Sequence, residues 1–597
     1  MGLRLIRLAL IVTAAALSLG VSARAVVLAQ STRTPGVFSA NVAVPMRDGV
    51  ILRADLWRPG AAGRYPTLVY RTPYGKTPTA QGALVKKAVA RGYAVVVQDV
   101  RGRFASDGEF RAYTQEGADG FDTIEWAAAQ SWSNGRVGTF GLSYPGAVQW
   151  LAAVQSPPHL VAMVSAMTFA SPTHFWYTGG VWDGSWLEWA WINMAPDLRR
   201  RHGLPGPQTP AAARAAWAKD GAAMREFFPR LDMPVLKGVA EWYYEWLRHP
   251  PYDPWWEWAE LTTKYDRVSA AVLNISGWHD EMYGPLGATT NFAGLVTSRG
   301  GQARTARTQV VVGPWTHGSD WDATIVGRRE MGPAAALDYD ALVLDWMDAW
   351  LKDAANGVRQ RAPVRVYAMG AGAWRTGEMW PPPAERRSLF LGGAPVPGRA
   401  AGTLAWTAPD VAGSAAFVSD AAHPVTDPYD AEAGGLDFRA LSARVDVLVF
   451  ETAPLAEDLE VVGPITAEID LAVDRPDTDV WVKLLDVAPD GTAYNLMSTG
   501  LDVLRASYRN KTAHQELLEP GRIYRLTLDT LMTANRFVRG HRIRVALMAS
   551  FAPNLSRNLH TGRLESVSSE TARATLTVHH GGARGSRLVL PVTTTAR

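Results

Sequence analysis

Residues 141–146 read Gly-Leu-Ser-Tyr-Pro-Gly, and this stretch decides the fold prediction. It follows residues 136–140, which are typical of a β-strand, and precedes residues 147–154, which are typical of a helix. A serine on such a sharp turn presents its Oγ above the end of a sheet. The usual motif has glycine two positions after the serine, whereas here Pro145 stands there and Gly146 follows. Taken alone, the stretch is also compatible with an ordinary turn whose serine has no catalytic role.

Apolar runs alternate with helical patterns on both sides of this turn. The runs are rich in β-branched residues, as buried parallel strands are, and lie at 67–70, 93–97, 160–166, 271–275 and 309–312. Helical periodicity predicts helices over about 81–91, 117–130 and 335–351. A hairpin over residues 41–57 precedes them. This alternation predicts an open, mostly parallel α/β sheet. The serine turn within it is the feature that points to the α/β-hydrolase variant of such a sheet.

The pattern also predicts how the chain divides into domains. The alternation stops after residue 169 and resumes near 266, and after about 361 it gives way to short alternating strands with Gly, Pro and Asp turns. We therefore expect a sheet domain with an inserted helical cap, followed by an all-β jelly-roll sandwich. The predicted ranges are 1–29 for a signal peptide, 37–169 and 266–360 for the sheet domain, 170–265 for the cap, and 361–597 for the sandwich.

The predicted cap is rich in tryptophan. It holds 11 of the 24 tryptophans of the chain, among them Trp182 and Trp186, which we single out as candidate substrate contacts. An aromatic cap above a catalytic turn can bind an apolar substrate. Alternatively, these rings pack a small helical lobe against the sheet.

The amino-terminal residues have the layout of a secretory signal peptide. Arg4 and Arg7 precede an apolar run over residues 8–19, and Ala-Arg-Ala at 23–25 offers a cleavage site. A retained membrane anchor is the alternative, but the run is short for a membrane span. Cleavage predicts a secreted or periplasmic protein without a stable span, and it would lower the formal net charge from +3 to zero. Without a basic field or tract, we expect no nucleic-acid partner.

The chain has no cysteine, which excludes disulfides, thiolate catalysis and cysteine-ligated zinc. We expect a small-molecule substrate and no metal or other cofactor. The oligomeric state stays open, a homo-oligomer included.

Two further residues follow later strands in the order that sheet hydrolases use. Asp280 comes just after the strand at 271–275, and His317 comes just after the strand at 309–312. Serine, acid and histidine in this order, each at a strand end, predict a Ser143–His317–Asp280 triad. His279 is a rival base and Glu281 a rival acid, but each neighbours Asp280 and would point to the other side of an extended turn.

An oxyanion formed at Ser143 needs hydrogen-bond donors. The backbone N–H of Tyr144 is one, because it follows the nucleophile. A second donor is expected from the loop after an early strand, here residues 71–76, where Tyr74 could offer its hydroxyl. From the residues alone, Tyr74 is equally compatible with a packing role.

Six segments together resemble the family of cocaine esterase and related acyl hydrolases, which shares its architecture with X-Pro dipeptidyl-peptidases and α-amino-acid ester hydrolases. The segments are Val-Pro-Met-Arg-Asp-Gly at 44–49, Arg-Thr-Pro-Tyr at 71–74, Gln-Asp-Val-Arg-Gly-Arg at 98–103, the stretch at 141–146, Gly-Trp-His-Asp at 277–280 and Gly-Pro-Trp-Thr-His at 313–317. Similarity continues into the sandwich at 476–479 and 489–494. The resemblance implies the same triad, Tyr74 and Tyr144 as oxyanion donors, and a sandwich that helps to enclose the site. The Asp-Val-Arg-Gly run at 99–102 is interpreted as a structural turn with internally paired charges.

Two departures from the related families narrow the expected substrate. In α-amino-acid ester hydrolases, carboxylates two and three positions after the triad acid help to hold an ammonium group, whereas this chain has Met282 and Tyr283 there. Met282 indicates an apolar acyl pocket. The sequence does not identify the acidic anchor for a free amino terminus that a dipeptidyl-peptidase needs. The cap glutamates that could in principle supply one are Glu188, Glu241, Glu245 and Glu257.

The sequence therefore predicts a serine hydrolase for esters of apolar or aromatic acids, and it leaves open whether amides of these acids are substrates too. X-Pro dipeptidyl-peptidase and α-amino-acid ester hydrolase or acylase activities are alternatives within the same chemistry. A non-catalytic ligand-binding protein is the alternative from another class.

Overall fold

A computed structural model describes most of the chain. The described residues are 36–302, 304, 307–318, 320–429, 432–582 and 585–593. The predicted signal peptide, residues 1–29, lies outside them. Within these ranges, no helix combines the length and the apolar character that a bilayer span requires.

The first part of the sheet domain alternates strands and helices as predicted. Its elements are β1 (Val37–Pro45), β2 (Ile51–Arg58), β3 (Tyr65–Thr72), α1 (Lys76–Ala80), α2 (Ala83–Ala90), β4 (Ala94–Asp99), α3 (Glu116–Ala129), β5 (Ser133–Leu142), α4 (Tyr144–Ala153) and β6 (Leu160–Ala166). The strand before the serine is longer than predicted and runs to Leu142, so Ser143 itself forms the turn between β5 and α4.

Helical segments and one short hairpin lie between β6 and the next strand of the sheet. They are β7 (Tyr177–Thr178), β8 (Val181–Trp182), α5 (Ser185–Trp189), a π-helical turn (Ala190–Met194), α6 (Ala195–His202), α7 (Pro210–Arg225) and α8 (Glu241–Arg248), with 3₁₀ turns at Pro172–His174, Arg230–Asp232, Pro254–Ala259 and Tyr265–Arg267. We refer to residues 170–265 as the cap.

The sheet then resumes. Its second part comprises β9 (Ala271–Gly277), α9 (Leu286–Ser298), β10 (Thr308–Gly313), the small hairpin β11 (Ile325–Val326) and β12 (Arg329–Glu330), α10 (Tyr339–Leu351), β13 (Val364–Ala368) and β14 (Ala373–Gly377). Helix α10 begins later than the predicted residue 335, because Asp338 caps it by accepting the Ala341 N–H at 2.9 Å.

The strand order of the sheet is β1-β2-β4-β3-β5-β6-β9-β10-β13-β14. The strands from β4 to β13 pair in parallel, and antiparallel strands lie at both edges. The mostly parallel sheet is thus confirmed.

One predicted domain boundary is wrong. We placed β13 and β14 in the sandwich, but both strands extend this sheet. Alternation along a short strand does not reveal which sheet will accept it.

Both faces of the sheet are covered. In β4, Ala94 and Val96 pack with the α3 and α4 side, whereas Val95 and Val97 pack with α2 and α10. Fully buried parallel strands of this kind need helices on both faces. The cap shares its apolar core with the α3 and α4 side of the sheet.

The remaining described chain is an all-β sandwich, as predicted, whereas its jelly-roll topology stays a prediction. The strands are β15 (Glu385–Gly392), β16 (Gly402–Ala405), β17 (Gly413–Asp420), β18 (Leu448–Glu451), β19 (Leu459–Pro464), β20 (Thr466–Val473), β21 (Asp479–Val487), β22 (Ala493–Asn495), β23 (Val503–Arg505), β24 (Ile523–Leu528), β25 (Met532–Phe537), β26 (Arg542–Met548), β27 (Arg573–His580) and β28 (Arg587–Val592). The sandwich is docked on the rest of the chain, since the N–H of Arg505 donates to the carbonyl of Gly179 in the cap.

Candidate active site

Ser143 occupies a strained turn between β5 and α4. Its φ of 65° lies in the left-handed region that non-glycine residues rarely adopt. The neighbouring glycines permit this geometry: a Cβ on residue 141 would lie 2.6 Å from the Cβ of Pro145, and one on Gly146 would lie 2.6 Å from the carbonyl oxygen of Ala166. The glycine displaced by one position is therefore required by close backbone packing.

Asp280 and His317 are joined directly. Nδ1 of His317 lies 2.8 Å from Oδ1 of Asp280, and Asp280 is fully buried just beyond β9. The same oxygen accepts the backbone N–H groups of Met282 and Tyr283 at 3.2 and 3.3 Å. A carboxylate acceptor requires the proton on Nδ1, which leaves Nε2 of the neutral ring free to act as a base.

The charge of Asp280 also affects the basicity of His317. Burial acts to lower the pKa of the imidazole, but the adjacent Asp280 carboxylate and, more weakly, Glu281 outweigh it, so the pKa is raised above 6.5. The imidazolium that forms when His317 takes a proton is thereby stabilised.

Ser143 lies in the same cavity as His317 but is not bonded to it. Among the described residues, no hydrogen bond within 3.5 Å joins the two side chains; the Ser143 Oγ instead has the Tyr283 hydroxyl at 3.5 Å. Catalytic hydrogen bonds are often long in free enzymes and tighten when substrate binds. The structure thus joins the candidate acid and the candidate base, and places the candidate nucleophile in the same cavity.

Tyr74 lies next to Ser143. Its hydroxyl accepts a hydrogen bond from the indole N–H of Trp189 at 3.0 Å. Tyr74 is 37% exposed because its ring faces the cavity. Desolvation around the hydroxyl nevertheless raises its pKa, against smaller opposite effects of Trp189 and Ser143 beside it. The phenol therefore stays protonated and can donate a hydrogen bond.

Tyr144 contributes through its backbone and its side chain separately. As the first residue of α4, it has an N–H with no intrahelical acceptor. Its buried hydroxyl donates to Oε1 of Glu116 and accepts the N–H of Tyr113, both at 2.8 Å. The side chain therefore anchors the helix start, while the N–H stays available at the turn.

The two rivals from the sequence take other roles. Burial, with a smaller contribution from Arg329, lowers the pKa of His279 to about 3, so this histidine is too weakly basic to accept the serine proton near neutral pH. Glu281 accepts the backbone N–H of His317 at 3.0 Å through Oε2. It therefore holds the backbone of His317 rather than its ring.

A cavity of about 1030 Å³ opens above these residues. All three parts of the chain line it, including Tyr74, Ser143, Met282, Tyr283 and His317 from the sheet domain, Trp186, Trp189, Ile192, Arg214 and Trp217 from the cap, and Tyr429, Leu436, Phe438, Ser498 and Leu501 from the sandwich. The sandwich thus helps to enclose the site.

The charged residues of the run at 99–102 do not line the cavity. They are paired internally, as interpreted from the sequence: Asp99 bonds to Lys76 and Arg101 bonds to Asp119.

The predicted substrate contacts separate into two groups. Met282 and Trp186 line the cavity, whereas Trp182 does not and is corrected: its ring packs inside the cap, 5.1 Å from that of Tyr177. Of the four cap glutamates, Glu188 alone lines the cavity, and its Oε2 lies 2.5 Å from the Arg225 guanidinium.

Sequence reasoning missed Tyr283 as a neighbour of the candidate nucleophile, and Tyr113 as a neighbour of Tyr283. The Tyr283 hydroxyl lies between Ser143 and the Tyr113 hydroxyl, which is 3.4 Å away. The position of Tyr283, three residues after the candidate acid, was the one available signal. No comparable sequence signal pointed to Tyr113, which comes from the segment before α3.

Two family profiles match the chain. Residues 48–319 match the X-Pro dipeptidyl-peptidase (S15 family), and residues 356–589 match the X-Pro dipeptidyl-peptidase C-terminal non-catalytic domain. The chain is 32% identical to cocaine esterase from Rhodococcus sp. (strain MB1 Bresler) over 583 residues, which cover 93% of this chain and 98% of that protein.

Solved structures show the same fold over nearly the whole chain. An aminopeptidase from the marine sediment archaeon Thaumarchaeota archaeon has a TM-score of 0.77 at 23% identity, and covers 94% of this chain and 97% of its own. A selenomethionine-labelled α-amino acid ester hydrolase has a TM-score of 0.77 at 22% identity, with the same coverage. At these identities the likeness concerns the fold.

Proposed function

Because the chain belongs to the cocaine esterase family and is a serine hydrolase, we propose that it hydrolyses carboxylic esters of largely apolar or aromatic acids. Amides of the same acids fall within the same chemistry. The observation that carries the proposal is the bond between Asp280 and His317, 2.8 Å long, in one cavity with Ser143.

The proposed reaction begins with the strained serine. The Ser143 Oγ attacks the acyl carbon while Nε2 of His317 takes its proton, and Asp280 holds the ring in the tautomer that this transfer needs. A movement of one or both side chains must first bring the serine and the imidazole within bonding distance. The free side of Nε2, opposite the Asp280 bond, supports this role.

The oxyanion of the tetrahedral intermediate is assigned to two donors. They are the Tyr74 hydroxyl and the Tyr144 backbone N–H, which flank Ser143 from the loop after β3 and from the start of α4. Preorganised donors of this kind lower the barrier because they need no reorganisation as charge develops. The intermediate then expels the alcohol or amine, which takes the proton from His317, and water activated by the same imidazole releases the acid.

The lining of the cavity supports an apolar acyl group. Met282, Trp186 and Ile192 contribute apolar side chains to the cavity that also holds Ser143. Five carboxylates line the cavity, and each already has a partner. Glu188 pairs with Arg225 and Glu432 with Arg328, while Glu281 accepts the His317 backbone N–H. Asp183 accepts the Ser185 hydroxyl, and Asp427 accepts the Tyr429 backbone N–H. A free amino group would have to compete with these partners, which disfavours dipeptidyl-peptidase and amino-acid ester hydrolase activities.

The test compares three substrates on the purified protein: a p-nitrophenyl benzoate, an α-amino-acid p-nitrophenyl ester and an Xaa-Pro p-nitroanilide. We expect the highest kcat/KM for the benzoate. Preferential cleavage of the anilide would replace the proposal by the dipeptidyl-peptidase alternative. Ser143→Ala serves as the blank for each substrate, and failure of the wild type on every substrate would favour a binding protein.

Export is a separate part of the proposal. The features of residues 1–29 support a signal peptide, and the enzyme would then act outside the cytoplasm. Expression of the full chain in a bacterial host, followed by amino-terminal sequencing of the mature protein, tests this. An intact amino terminus on protein retained in the cytoplasm would refute it.

A further inference from the structure

Tyr283 contacts both the proposed nucleophile Ser143 and the proposed base His317, and the proposed reaction gives it no role. Its hydroxyl lies 3.5 Å from the Ser143 Oγ. Its ring stacks on the imidazole of His317, with centroids 5.3 Å apart and planes inclined by 25°. A single residue thus touches both reacting side chains.

The ring of Tyr283 is held firmly. On its other side it stacks on Phe175 of the cap, with centroids 4.4 Å apart and planes inclined by 14°. Its backbone N–H donates to Asp280, and its hydroxyl is 3.4 Å from that of Tyr113. The hydroxyl is therefore preorganised, since neither the ring nor the backbone needs to be ordered when substrate arrives.

The hydroxyl is also a donor at every relevant pH. Burial in this aromatic surrounding strongly raises the pKa of Tyr283, with a further contribution from Tyr74. A phenol that keeps its proton acts by hydrogen bonding and does not serve as a base.

The stacking on His317 decides which oxygen of the substrate this donor can reach. In the tetrahedral intermediate, the former carbonyl carbon carries the serine oxygen, the oxyanion, the leaving-group oxygen and the carbon substituent of the acid. The oxyanion faces Tyr74 and the Tyr144 N–H, whereas the leaving-group oxygen must face His317 to receive its proton. Because the ring of Tyr283 stacks on the His317 ring, we place its hydroxyl on the leaving-group side of the intermediate.

We propose that Tyr283 is a further catalytic residue, whose hydroxyl donates a hydrogen bond to the leaving-group oxygen. This inference rests on the proposed esterase function. As the bond between the acyl carbon and that oxygen breaks, its electron pair stays on the oxygen, and the proton comes from Nε2 of His317. Tyr283 keeps its own proton and stabilises the negative charge that develops before proton transfer is complete.

The test uses Tyr283→Phe, which retains both ring contacts and removes only the hydroxyl. Its kcat/KM is measured on benzoate esters of 4-nitrophenol, phenol, trifluoroethanol and ethanol, whose leaving groups become progressively less acidic. We expect a loss of about 10- to 100-fold on the ethyl ester and less than about threefold on the nitrophenyl ester, because more charge needs stabilising on a poor leaving group. The matched control is Tyr177→Phe, which removes a buried cap hydroxyl bonded to the carbonyl of His249.

The outcomes separate this inference from the proposed function. An equal loss on all four esters, or no loss on any, would overturn the role of Tyr283 while leaving the esterase proposal intact. A wild-type protein that hydrolyses none of the four esters would instead refute the esterase function. Equal thermal midpoints for both variants and the wild type exclude misfolding. For Tyr177→Phe, the ratio of its kcat/KM to that of the wild type should be the same on all four esters.

Discussion

The indole N–H of Trp189 donates a hydrogen bond to the Tyr74 hydroxyl, with 3.0 Å between nitrogen and oxygen. Trp189 ends α5 of the cap, and Tyr74 follows β3 of the sheet domain. The bond therefore ties the cap to the proposed oxyanion site. It also uses an acceptor lone pair of the phenol, which leaves the O–H free to donate to substrate.

Tyr74→Phe should lower kcat by about 10²- to 10³-fold, because it removes one donor to the oxyanion. The KM should change little, since the donor acts mainly in the transition state. Steady-state kinetics on a nitrophenyl ester measures both values. Unchanged turnover would remove Tyr74 from the mechanism.

Trp189→Phe should lower kcat by a smaller factor, about tenfold, because it frees the Tyr74 hydroxyl to rotate without removing it. The matched control is Trp191→Phe: the Trp191 indole donates to the carbonyl of Ala213 within the cap, and neither of these two residues lines the cavity. Both variants are compared by kcat and by thermal midpoint. Equal losses in the two variants would mean that Trp189 acts only through cap stability.

Asp280→Asn should lower kcat by about 10⁴-fold, since the amide no longer selects the required imidazole tautomer. It should also change the pH profile. In the wild type, His317 must lose its proton to act, so kcat/KM should fall as the pH drops through a pKa that Asp280 raises above 6.5. Without that carboxylate, the remaining activity should persist to lower pH.

Glu281→Gln is the matched control for Asp280→Asn. Glu281 accepts the backbone N–H of His317, a bond that the glutamine amide oxygen can retain. We expect its kcat to stay within about threefold of the wild type. If it lost as much activity as Asp280→Asn, Glu281 would have to be counted as the acid partner.

Gly146→Ala should destabilise the protein by about 1–3 kcal/mol, because its Cβ would lie 2.6 Å from the Ala166 carbonyl oxygen and force the turn open. Activity should fall with it, since Ser143 would be displaced. Chemical denaturation compares it with Gly377→Ala, where the nearest atom to the new Cβ is 3.8 Å away. Equal stability of the two variants would contradict the packing argument.

Much of this arrangement was accessible from local patterns. The strand before Ser143, the helix after it and the polar residues beyond β9 and β10 each leave a signal within a few residues. Parallel pairing then forces the ends of neighbouring strands to one edge of the sheet. That is why residues as distant in the chain as Ser143 and His317 were predicted to share a site.

Other features depend on contacts that no local pattern encodes. Trp182 and Trp186 are close in sequence and alike in type, yet one packs inside the cap and the other lines the cavity. Tyr283 contacts Ser143, Phe175 and His317 only because the cap packs against the sheet and the side chains at this junction adopt particular rotamers. Periodicity identifies which residues are buried, but it does not identify their partners.

The central claim is that His317 activates Ser143, and labelling with a fluorophosphonate probe tests it most directly. Peptide mass spectrometry of the wild type should find one adduct, on Ser143. In His317→Ala the labelling rate should fall by at least about 10³-fold, because no base remains to take the serine proton. Labelling of another residue, or an unchanged rate in His317→Ala, would contradict the account.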